Sequence, residues 1–122
     1  MQWQRYGRKQ RMEADKVLNA ALKALGHPVA RLYYKGKAVS TYFTYQLIMA
    51  TPTAFADDDN TATESLWRVD LYSKGNYTTL LKDAIQSIKA AGFYGVSIEA
   101  EIYEQETGFY HVPIEAKFLM EE

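Results

Sequence analysis

The sequence predicts an α+β fold: a mainly antiparallel sheet of five strands with two helices packed on one face, in the order α-β-β-β-α-β-β. Three observations predict it. Two segments repeat apolar residues at helical spacing, five alternate apolar and polar residues at period two, and Gly, Pro or Asn marks most of the boundaries between them.

Residues 1–11 come first, with Arg5, Arg8, Lys9 and Arg11 set among Trp3 and Tyr6 and no periodicity. They read as a flexible basic arm, and residues 12–122 as a single α+β domain. From Met12 to Leu25 the spacing is helical. Leu18, Leu22 and Leu25 share a stripe with Val17, Ala21 and Ala24 beside it, while Asp15, Lys16, Asn19 and Lys23 face away. Gly26 followed by His27-Pro28 ends that helix, because Gly accepts the left-handed cap and Pro cannot continue the turn.

Val29 to Tyr34 predicts a short strand, turned by Lys35-Gly36-Lys37 into a hairpin with Thr41 to Ala50. In that second strand Phe43, Tyr45, Leu47 and Met49 share one face, and Tyr42, Thr44 and Gln46 the other. Thr51 to Thr63, with Pro52, three consecutive aspartates and Asn60-Thr61, predicts a long loop. Leu66 to Ser73 is the third strand, with Trp67, Val69 and Leu71 inward and Arg68 and Asp70 outward. Asn76 is placed to cap a second helix, Tyr77 to Ala91, whose stripe is Leu81, Ala84, Ile85 and Ile88, and Gly92 stops it.

The last quarter predicts a hairpin. Tyr94, Val96, Ile98, Ala100 and Ile102 alternate with polar or small residues, and so do Tyr110, Val112, Ile114, Ala116 and Phe118. A loop of Glu106-Thr107-Gly108 pairs Gln105 with Phe109 and sets Ile102 opposite Val112, Ala100 opposite Ile114, Ile98 opposite Ala116 and Val96 opposite Phe118. That register buries every apolar residue of both strands on one face. Glu99, Glu101, Glu115 and Lys117 fall on the other.

Composition excludes several classes of function. Cys is absent, which removes disulfides, thiolate nucleophiles, zinc fingers and iron–sulfur ligation together and fits a reducing cytoplasm. A formal charge of -1 gives no global field to draw nucleic acid or anionic lipid. The start lacks a signal-peptide core, and no window approaches the roughly 18 apolar residues of a membrane span. Ten tyrosines suit a surface half-buried against a partner.

No set of residues points to catalysis. His27 lies beside a helix end and His111 on an outer strand face, with no Gly-x-Ser-x-Gly elbow and no Gly-rich phosphate cradle. Asp57, Asp58 and Asp59 could supply oxygen ligands to a hard cation, but the glycine and the twelfth-position Glu of a calcium loop are missing. The expectation is therefore a non-enzyme with no catalytic, cofactor or metal residues. Its candidate interaction segments are the arm (Arg5, Arg8, Lys9, Arg11) and the acidic loop (Asp57, Asp58, Asp59). Their opposite charges would let them meet across a subunit boundary. The arm's mix of charge and aromatics also suits incidental contact with nucleic acid.

Trp67-Arg68-Val69-Asp70-Leu71-Tyr72-Ser73-Lys74, then a helix, Phe93, a strand and Glu106-Thr107-Gly108-Phe109-Tyr110-His111-Val112 follow one another in this chain. This order resembles the small tail completion, or tail terminator, proteins of long-tailed bacteriophages and their prophages, over about residues 12–119. The resemblance implies a ring, commonly a hexamer, that caps the finished tail tube and joins it to the head. It implies partners in further copies of itself, the tail-tube protein and the head connector, and no cofactor. It also implies residence in the virion, and in the host cytoplasm during assembly. The alternative from another class is a small enzyme or a small-ligand-binding regulatory domain on the same kind of sheet, which a deep pocket with converging polar groups would favour.

Overall fold

The first helical stripe becomes α1, residues 14–23, in the computed structural model, which describes residues 14–54 and 61–121. Ala14, Leu18 and Leu22 are fully buried at i, i+4 and i+8. Gly26 closes the helix at φ +88°, its N–H reaching the Lys23 carbonyl at 3.1 Å. Asp15 and Asn19 do not face away as expected. They lean onto the sheet, where Tyr45 donates to Asp15 Oδ1 at 2.7 Å and accepts from Asn19 Nδ2 at 3.1 Å.

The strands are β1 (Val29–Arg31), β2 (Thr41–Ala54), β3 (Thr61–Ser73), β4 (Tyr94–Ile98), β5 (Ile102–Glu104) and β6 (Phe109–Glu121), with α2 (Thr78–Ala90) between β3 and β4. The sheet order is β1-β2-β3-β6-β4, with β5 also paired to β6. The sheet thus has six strands where five were expected, and one of its pairs is parallel.

That parallel pair replaces the expected first hairpin. β1 runs alongside β2 in the same direction, Val29 beside Phe43 and Arg31 beside Tyr45. The strand stops early because Leu32 takes φ +72°, a left-handed conformation that breaks the extended chain. Tyr33 N–H then bonds the Arg31 carbonyl at 2.9 Å, and Leu32 N–H bonds the Tyr45 carbonyl at 2.8 Å. A strand of three residues is short enough for the stretch 32–40 to carry the chain back without a helix.

The expected loop over 51–63 is largely strand. β2 and β3 stay paired through Thr51 opposite Glu64, Pro52 opposite Thr63 and Ala54 opposite Thr61. Threonine favours the pleated chain. Pro52 is tolerated because β1 reaches only to Tyr45, which leaves the far half of β2 at the edge. One extra residue between Leu47 and Met49 moves Met49 off the helix-covered face, opposite Leu66.

α2 starts one residue later than expected. Tyr77 occupies the cap position, and Asn76 Oδ1 accepts the Thr78 N–H at 2.9 Å from one position earlier. Its end is a Schellman motif: Gly92 N–H bonds Lys89 O at 3.0 Å and Phe93 N–H bonds Ile88 O at 3.3 Å, with Gly92 at φ +107°. Phe93 and Ile88 are both buried, the apolar contact that accompanies this cap. Ser87 Oγ donates to the Ala21 carbonyl at 2.8 Å and ties α2 to α1.

The last hairpin departs from the expected register. Glu104 pairs with Phe109 around a four-residue loop closed by Gly108 N–H to Glu104 O at 2.8 Å, so Ile102 faces His111 and not Val112. The expected single strand is split at 99–101. The register against β6 moves by one residue there, between Ile98 opposite Ile114 and Ile102 opposite His111, and Pro113, whose carbonyl accepts from Glu99 N–H at 2.9 Å, has no N–H to return on that side. A second irregularity lies between Tyr94 and Ser97, with Gly95 at φ +60°, and it sets Ile98 opposite Ile114. Ile98 and Ile102, both expected in the core, are therefore 53% and 49% exposed. Val112, Ile114 and Ala116 are buried as expected, and Val96 and Phe118 pack against the core.

Both helices cover one sheet face. Leu18 and Leu22 of α1 and Ala84 and Ile88 of α2 meet Phe43, Tyr45, Trp67, Val69, Leu71, Val112 and Ile114 in one cluster. Each fully buried aliphatic there contributes roughly 1.5–3 kcal/mol by burial. Ser65 is buried within it but satisfied, accepting from Trp67 Nε1 and donating to the Phe118 carbonyl, both at 2.9 Å.

Candidate interaction surface

Among the described residues, the sheet face turned away from the helices carries the densest grouping of aromatic and ionisable side chains. The β2–β3–β6 register places Tyr42, Tyr72 and His111 in one row across three strands. Tyr42 stacks on Tyr72 with centroids 4.6 Å apart and planes 11° off parallel, and Tyr72 stacks on His111 at 4.4 Å and 16°. Tyr34 extends the row over Tyr42 at 4.9 Å. Phe109 stands edge-on to Tyr42 at 5.4 Å, and the Lys74 ammonium lies 5.0 Å from the Phe109 ring centre.

The row is tied down by carboxylates. His111 Nε2 meets Asp70 Oδ1 at 2.6 Å, and Arg68 Nε donates to the same oxygen at 3.2 Å. Glu104 Oε2 lies 3.9 Å from His111 Nδ1, so both ring nitrogens face an acid. Burial, then the nearby Asp70 carboxylate, pushes the Tyr72 phenol up to about 12. Tyr42 rises for the same first reason, followed by the Glu104 charge. These phenols stay protonated at neutral pH. The row is a hydrogen-bonding patch whose ring faces lie against one another, with Asp70 and Glu104 at His111 and Arg68 and Lys74 beside them. Rings stacked on one another leave few open faces for bases, which suits a protein surface better than a nucleic-acid strand.

On the helix side, a recess of about 440 Å³ is lined by Trp67, Leu47, Ala50, Pro52, Met120, Ser65, Thr63, Asp15 and Arg31. Its charged groups are bonded to each other, Arg31 Nη1 to Asp15 Oδ2 at 2.7 Å, with the guanidinium 5.6 Å from the Trp67 ring centre. Ser65 is already committed to Trp67 and Phe118. Few polar atoms remain to converge on a ligand.

Arg5, Arg8, Lys9, Arg11, Asp57, Asp58 and Asp59 lie outside the described residues. His27 follows the α1 cap and is not brought to His111 or to either surface above. Glu99 and Glu101 fall in the break between β4 and β5, while Glu115 and Lys117 sit on the outer face as expected. Among the described residues no His, Asp and Glu cluster has the arrangement of a metal site, and no helix is long and apolar enough to cross a membrane. Sequence reasoning missed the aromatic row. Its signal was present: Tyr42, Tyr72 and His111 all occupy outward positions of period-two strands.

No protein-family model matches the chain. No curated protein matches it either. Among solved structures it is similar to a chain of the virion of native gene transfer agent (GTA) particle. The identity is 15%, the TM-score is 0.50, and the match covers 95% of this chain and 92% of that one. What the two share is the fold.

Proposed function

We propose that this chain is a structural protein of virion assembly that forms a ring, caps the tail tube and joins it to the head. The observation that carries the reading is the fold match to a virion chain over nearly the full length of both. It coincides with the likeness of Trp67 to Lys74 and Glu106 to Val112 to the tail terminator proteins. In this reading the chain has no turnover and no cofactor, and its partners are copies of itself, the tail-tube protein and a head connector. The outer aromatic row supports it, because a patch of half-buried, stacked tyrosines is the composition of a protein–protein contact. The enzyme or ligand-binding alternative draws no support from the recess, whose charged groups neutralise each other.

The test is genetic. Deleting the gene from the element that encodes it, then inducing particles, should give heads separate from tails, with tails unjoined or of abnormal length. Normal infectious particles would end the proposal.

A further inference from the structure

The charges of this chain are sorted along its sequence, and the fold turns that order into geometry. Of the described residues, 14–37 hold five Lys and Arg against one Asp, whereas 93–121 hold one Lys against six Glu. The sheet order β1-β2-β3-β6-β4 puts the first segment's strand and the last segment's β4 at opposite edges. Five strands at about 4.8 Å spacing set those edges roughly 19 Å apart, beyond the screening length of about 8 Å at physiological salt. Lys35 and Lys37 by the one edge and Glu99, Glu101 and Glu106 by the other therefore do not neutralise each other within one copy.

Each edge also presents apolar side chains beside its charge. At the β1 edge Leu32 and Tyr33 are 61% and 62% exposed, next to Lys35 and Lys37. Leu32 holds its left-handed φ of +72° there, pinned by its bond to the Tyr45 carbonyl. A leucine rarely tolerates that conformation, and here it projects an apolar side chain into solvent. At the far edge Ile98, Ile102 and Tyr103 are exposed beside Glu99, Glu101 and Glu106. Among the described residues none of these three glutamates, nor Lys35 or Lys37, is in an ion pair.

We infer that two copies of this chain join head to tail, the β1 edge of one docking on the β4–β5 edge of the next. Lys35 and Lys37 face Glu99, Glu101 and Glu106, while Leu32 and Tyr33 pack on Ile98, Ile102 and Tyr103. Like charge disfavours pairing either edge with itself, so the contact is heterologous, the kind that closes into a ring or runs into a filament. The inference rests on the assembly reading and adds to it the polarity and the residues of the contact.

The absence of Cys makes cross-linking a clean test. Tyr33→Cys and Ile102→Cys chains, each checked for native circular dichroism, are oxidised alone and as a mixture at high protein concentration. The expected result is that the mixture forms 33–102 dimers well above either self-pair, and that a chain with both substitutions forms a ladder. Dominant 33–33 or 102–102 dimers would overturn the inference. So would mixed dimers no more abundant than those of a Gln86→Cys control on the exposed face of α2. Reversing Lys35 and Lys37 to Glu, or Glu99 and Glu101 to Lys, should each cut the mixed yield by roughly threefold to tenfold. Combining the two reversed chains should restore it; no restoration counts against the contact. The cross-link reads polarity whatever the particle does. A deletion strain with normal particles would remove the tail-capping role and leave this contact standing.

Discussion

Glu99 N–H donates to the Pro113 carbonyl at 2.9 Å, and Pro113 has no N–H to return. At this pairing the register moves by one residue, the edge of the sheet breaks into β4 and β5, and Ile98 lies uncovered at the rim. Ile98 shares a face with buried Ile114 but lies outside the helices' cover. Ile114→Ala should therefore cost about 2–5 kcal/mol and Ile98→Ala under about 1 kcal/mol. Urea unfolding of the two variants checks this; equal losses would place Ile98 in the core after all.

Pro113→Ala supplies the missing donor on the side facing residues 99–101. Amide hydrogen exchange should slow at Glu99 as the new N–H completes the pair between residues 99 and 113. Unchanged exchange there would mean that the turn at 105–108 or Gly95, and not Pro113, holds the strand apart.

Local signals are legible in the sequence. The α1 and α2 stripes, the Gly26 and Gly92 stops and the inward faces of β3 and β6 each depend on residues within one or two turns or pleats of each other. Most departures concern which neighbour a strand faces; the others are the stretch 51–63, largely strand despite Pro52, and Asp15 and Asn19, which turn to Tyr45 of the sheet. Period two cannot say on which side of β6 the Pro113 nitrogen points. A Lys-Gly-Lys stretch cannot show that Leu32 has already bent the chain and left β1 parallel to β2. The aromatic row needed the alignment of β2, β3 and β6, which come from distant parts of the chain. The charge sorting is visible in the sequence, but it becomes two edges only once the strand order is known.

Asp70 holds both His111 and Arg68 on the outer face and is itself nearly buried. Asp70→Ala leaves a half-buried imidazole without its acceptor and should cost about 1–3 kcal/mol. A double-mutant cycle with His111→Ala should recover much of that loss as coupling. Additive effects would show that the 2.6 Å contact contributes little.

Alkaline stability should report the buried phenol. Tyr72 is raised from 10.0 to about 12 in the folded chain. The unfolded chain thus releases its proton first. The contribution is fully present below about pH 10 and is lost as pH rises toward about 12. Tyr42 and Tyr45 shift in the same direction. Tyr72→Phe should flatten the fall in denaturant midpoint over that window; an unchanged slope would mean that Tyr72 is solvated.

The central claim is that this chain sits as a ring at one end of a tail. Gold labelling of a tagged chain in purified particles, imaged by electron microscopy, measures that position. Label is expected at a single level, where the tail meets the head, on nearly every particle. Label spread along the tail, or particles that contain none of the chain, would contradict it.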